Sequence, residues 1–122
     1  MKGLFSLFVT PKAVDAKSSP FHLKTRLDWG EPALTILDVR SREAFNQSRI
    51  KGAVSIPLEQ LKEQPLGLEH HRDIYVYGDS HEEAAEAQKQ LTEAGYVNVS
   101  ELNGGLIAWR IANGATEGTA ED

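Results

Sequence analysis

Six consecutive residues, Gly78-Asp79-Ser80-His81-Glu82-Glu83, gather a hydroxyl, an imidazole and several carboxylates. Those are the ingredients of acid–base or nucleophilic chemistry. Their spacing argues against that use. A serine nucleophile needs its base beside it, and Ser80 and His81 are sequence neighbours, which on a helix do not face each other. Ser80 and Glu83 instead have capping-box spacing, in which each side chain satisfies a backbone N–H that the helix leaves orphaned. An enzyme of unidentified class using Ser80 and His81 is the alternative, and it lacks a nucleophile–base pair in register.

The other chemically suggestive clusters read as structural. His70, His71 and His81, with Glu69, Glu82 and Glu83, match no zinc spacing, so no metal is expected. Gly104-Gly105 lacks a phosphate-loop pattern and reads as a tight turn, so no cofactor is expected. Asp38 and Arg40 close a strand, where Arg40 can pair with Glu43 or carbonyls and Asp38 can accept backbone N–H groups. They are placed at the pocket rim in a structural role. Trp29 and Trp109 read as core or rim aromatics.

The chain contains no cysteine. Disulfides, thiolate metal sites, persulfides and thiol nucleophiles are therefore excluded. Its 122 residues suit one domain, and its net charge of −5 argues against nucleic acid as a partner. No apolar run reaches the ~20 residues of a membrane span. Residues 1–12 form an apolar N-terminal segment whose hydrophobic stretch is shorter than that of a signal peptide. The expected location is cytoplasmic, with peripheral membrane contact through Leu4, Phe5, Leu7 and Phe8 as the alternative. Nothing in the pattern fixes an oligomeric state.

The elements that must position the loop are legible from patterning. Val14–Lys17 suits a short edge strand. Ser19-Pro20 opens a helix carrying Leu23 and Leu27 on one face and stopped by Gly30. Leu34–Val39 reads as a buried strand, and Ser41–Gln47 as a helix capped by Ser41. Ala53–Ile56 reads as a strand ended by Pro57, followed by helical turns over Leu58–Lys62. Asp73–Tyr77 is an aromatic and β-branched strand. Ser80–Ala94 is a helix with Ala84, Ala87, Gln88 and Leu91 on its inner stripe. A strand over Val97–Val99, a turn at Gly104-Gly105 and a helix over Leu106–Ala112 follow. Gly114–Asp122 has little to bury and reads as a frayed tail. Alternating strands and helices imply parallel βαβ units, with ligand sites beyond the carboxyl ends of the strands.

Four segments, ILDVRSREAF (Ile36–Phe45), IKGAVSIPL (Ile50–Leu58), IYVY (Ile74–Tyr77) and ELNGGLIAW (Glu101–Trp109), resemble the rhodanese or sulfurtransferase domains in order and spacing. The resemblance runs from about Val14 to Ala115. It implies a single rhodanese-like α/β domain over residues 13–115, with a central, mostly parallel five-stranded sheet and helices on both faces. Residues 116–122 fall in the expected disordered tail.

In active relatives the strand matching IYVY is followed by a cysteine that opens a six-residue loop rich in Arg, Gly and Ser. Here Gly78 holds the nucleophile position, and Asp79, Glu82 and Glu83 stand where basic residues are usual. Two like charges ~6 Å apart repel by about 3 kcal/mol at an effective dielectric near 20, so an anionic sulfur donor is disfavoured as well. Arg49 stands where the family often has histidine, at the expected rim, where it can pair with the acidic loop or lie solvated. The resemblance therefore implies a non-catalytic binding or regulatory module, with the Gly78–Glu83 loop facing a protein or basic peptide. A domain that shields a partner's persulfide is the other reading.

Overall fold

The structure, a computed structural model, describes residues 15–30, 33–63 and 66–119. The expected features of residues 1–12 lie outside them. Strands β1 (Lys17–Ser18), β2 (Leu34–Asp38), β4 (Val54–Ser55), β5 (Asp73–Tyr77) and β6 (Val99–Leu102) form a five-stranded sheet in the order β1-β6-β5-β2-β4. Every pairing in it is parallel. Strands β3 (Arg49–Ile50) and β7 (Thr116–Glu117) form a separate antiparallel ribbon.

The helices are α1 (Pro20–Asp28), α2 (Arg42–Gln47), α3 (His81–Glu93) and α4 (Gly105–Ile111), with a 3-10 turn at Leu58–Gln60. Ser19, Ser41 and Ser80 cap the first three, each hydroxyl accepting a backbone N–H from three residues on. Gly104, at a φ of 82°, opens α4 through a left-handed backbone that costs glycine little.

Because side chains alternate across a strand, the sheet feeds two cores. Ile74 and Val76 of β5 pack with Leu37, Val39, Ala87, Leu91 and Val99 beneath α3. Tyr75 and Tyr77 face the other way, with Leu23 of α1, Ile36, Leu102 and Trp109 of α4. Burying each such aliphatic side chain is worth about 1.5–3 kcal/mol relative to exposure. No helix among the described residues is long and apolar enough to cross a membrane.

Several expectations shift. The first strand lies at Lys17–Ser18 and shares Lys17 with the expected Val14–Lys17, of which Val14 is outside the described residues; its partners Glu101 and Leu102 set its register. The sixth begins at Val99 and runs to Leu102, leaving Val97 exposed. Pairing with β5 and β1, rather than propensity, fixes those ends. Leu27 lies largely outside the core, while Leu23 is fully buried. Trp109 is buried and Trp29 exposed. Thr116–Glu117, placed by composition in a frayed tail, pair with Arg49–Ile50, because Glu117 gains a backbone donor and a cation there.

Candidate functional site

Strand β5 delivers its last residue, Tyr77, to the carboxyl edge of the sheet, and the loop begins at Gly78. That strand end is firmly held. Tyr77 is fully buried, and its hydroxyl accepts the Ile50 N–H at 3.1 Å. Burial first, and then the negative charge of Asp38, push the Tyr77 phenol well above its usual range. The Arg40 guanidinium lies 5.4 Å from the Tyr77 ring centroid.

Asp38 and Arg40 form a buried ion pair. Arg40 donates to Asp38 Oδ2 through Nη2 at 2.7 Å, and also to the Ser48 carbonyl at 2.6 Å. The Arg40 N–H donates to Asp38 Oδ1 at 2.9 Å. Of the two expected roles of Arg40, the bond to a carbonyl is made, at Ser48, while its ion-pair partner is Asp38 and not Glu43. Arg49 donates to the Phe45 carbonyl, stacks on the Phe45 ring at 4.4 Å and pairs with Glu117 at 3.3 Å. It thus belongs to the β3–β7 ribbon instead of pairing with the acidic loop.

Within the loop, the Glu83 N–H donates to Ser80 Oγ at 3.1 Å. The return arm differs from a standard capping box: Glu83 Oε1 accepts the Asp79 N–H at 2.8 Å, one residue before the cap. This brings the Glu83 side chain across Gly78. A Cβ atom at position 78 would stand 2.6 Å from Glu83 Oε1 and 3.0 Å from its Cγ. Ser80 is engaged as a cap, and the partner of His81 lies elsewhere.

That partner is Glu101, which patterning did not single out. His81 Nδ1 lies 2.8 Å from Glu101 Oε2, and Glu101 is only 3% exposed. In β6 it lies two residues beyond Val99, so alternation turns it to the α3 face where His81 begins the helix. The detectable signal was an acidic residue inside a strand buried on both faces, where a carboxylate needs a partner.

A cavity of about 270 Å³ lies between these pieces. Gly78–His81 form one wall, Glu101–Asn103 another, and Gly104, Gly105, Ala84 and Lys17 complete it. Gly105 begins α4 beside the loop at a φ of 58°, a left-handed backbone that favours glycine, and a Cβ there would stand in ordinary contact with the Gly78 carbonyl oxygen at 3.4 Å. Of the expected site residues, Gly78, Asp79, Ser80 and His81 line the cavity, and Asp79, Ser80, His81 and Glu82 are exposed. Asp38, Arg40 and Arg49 are not among its lining residues. Among the described residues, no three His, Cys, Asp or Glu side chains cluster to hold a metal ion.

The family model of the Rhodanese-like domain matches residues 19–112. The crystal structure of the Alr3790 protein from Anabaena sp. is 49% identical, covers 83% of this chain and 91% of its own, and superposes with a TM-score of 0.79. A thiosulfate sulfurtransferase from Pseudomonas aeruginosa is 29% identical with a TM-score of 0.77, over 85% of this chain and 20% of its own. Among curated proteins, the HTH-type transcriptional regulator Rv0324 of Mycobacterium tuberculosis is 32% identical over 85% of this chain and 48% of its own length. An uncharacterized Synechocystis protein, slr1261, is 32% identical over 67% of this chain and 46% of its own. The chain thus spans about half the length of these two curated relatives.

Proposed function

The chain belongs to the rhodanese-like domain family, and from that premise we propose that it is a non-catalytic member that recognises a basic protein segment through the Gly78–Glu83 loop. The observation that carries the reading is the Glu83 side chain folded across Gly78. A carboxylate occupies the space from which a nucleophilic side chain would extend, and the chain has no cysteine to place there. Thiolate sulfur transfer has no residue to begin it.

Recognition is favoured by charge and exposure. Asp79 and Glu82 are exposed at a concave site, where complementary potential selects a cationic partner. Neither takes part in an ion pair among the described residues, so their charges face solvent. The test is affinity capture from native lysate with the wild-type chain beside an Asp79→Arg/Glu82→Arg variant. A protein held by the wild type and released by the folded variant supports the loop as the recognition surface. Equal capture by both would overturn it.

A further inference from the structure

The cavity beside the loop contains a buried carboxylate that is only half used. Glu101 Oε2 is engaged by His81 at 2.8 Å, whereas Oε1 is buried and meets no hydrogen-bond donor among the described residues. Leaving a charged acceptor buried and unpaired costs more than a typical hydrogen bond returns. Lys17, its neighbour across the β1–β6 pairing, makes no ion pair with it among the described residues. Glu101 thus lines the cavity while one of its carboxylate oxygens, itself covered, lacks a donor among the described residues.

We propose that this cavity is a subsite for one cationic side chain, the ammonium of a lysine or the guanidinium of an arginine on the bound partner, with Glu101 as its anchor. The inference rests on the reading of the loop as a surface for a basic segment, and it names the acceptor. A cationic N–H donor satisfies a buried carboxylate better than a neutral one, because charge-assisted hydrogen bonds are roughly twice as strong. Ala84 and the Gly104-Gly105 backbone line the cavity and leave room for the methylene stem of such a side chain. Asp79, exposed and also lining the cavity, adds a second carboxylate. His81, more than half exposed, covers the carboxylate on one side.

The test is amide NMR titration of the full chain with N-acetyl-lysine methylamide and N-acetyl-arginine methylamide, with N-acetyl-norleucine methylamide as the uncharged control. Saturable shifts confined to residues 78–84 and 101–105 are expected with at least one cationic probe and not with the control. Glu101→Gln should weaken that binding by about tenfold. His81→Ala, which frees the second carboxylate oxygen, should tighten it several-fold and serves if Glu101→Gln fails to fold. Equal shifts with norleucine, or an affinity indifferent to both substitutions, would overturn the subsite. The Asp79→Arg/Glu82→Arg variant separates the two readings. If it loses partner capture while Glu101→Gln keeps it, the loop stands and the subsite falls. If Glu101→Gln loses capture and the loop variant keeps it, the subsite stands without the loop.

Discussion

Glu83 reaches back from the first turn of α3 to accept the Asp79 N–H, and in doing so it crosses the face of Gly78 at a distance no Cβ atom would tolerate. Glycine at 78 and glutamate at 83 therefore support each other: the first leaves room, and the second ties the loop to the helix.

Installing the missing nucleophile should fail on both counts. Gly78→Cys is expected to show no thiosulfate:cyanide transfer, because acidic residues surround the new thiol. It should also lose about 1 kcal/mol of stability as Glu83 is driven from the Asp79 N–H. Adding Glu83→Ala should relieve the crowding without creating an enzyme. A transfer assay with urea denaturation checks both; transfer by the single variant at the level of an active relative would refute the electrostatic argument.

Arg40→Met should be costly. It leaves Asp38, which is fully buried, without its cation. Breaking one side of a buried pair typically costs about 3–5 kcal/mol. Chemical denaturation should show that scale of loss, and replacing Asp38 by leucine in the same chain should recover part of it. A loss below about 1 kcal/mol would mean that other donors carry the Asp38 charge.

The β3–β7 ribbon should loosen in acid. The Gly52 N–H, and then Arg49, hold the Glu117 carboxyl below its ordinary value of 4.5. A carboxyl depressed by folding stabilises above its unfolded pKa, and that contribution fades as pH falls through the folded value. Amide protection at Gly52 and Lys51, taken relative to the intrinsic exchange rate at each pH, should therefore fall below about pH 4.5, and Glu117→Gln should flatten the dependence. An unchanged profile in that variant would place the acid sensitivity elsewhere.

Gly114→Ala should destabilise the end of the domain. The added methyl would lie 2.0 Å from Trp109 Cε2, in a ring that is itself buried. Overpacking of that kind costs about 1–3 kcal/mol, read as a lower thermal midpoint and altered tryptophan fluorescence.

The sequence spoke most clearly where one local cause was enough. The aromatic and β-branched run at Asp73–Tyr77 forms β5 with those bounds, and Ser19, Ser41 and Ser80 cap the helices they were expected to open. Long-range causes were harder to read. Strand β6 takes its ends from two neighbours, so Val97 drops out and Glu101 enters. The loop acids were visible as a cluster. The pairing of His81 with Glu101, 20 residues apart, depends on how far β6 extends and was not. The ribbon formed by Thr116–Glu117 was equally hidden, because its strand partner lies more than sixty residues earlier.

Among the described residues, the central sheet ends on both sides in strands of two residues, β1 and β4. Ladders that short present few open N–H and C=O groups, so neither margin is a ready template for sheet growth between molecules. The same bluntness limits how a peptide can be received. Strand addition needs a longer open edge, so a peptide bound by this fold must be read through its side chains, with little help from its backbone.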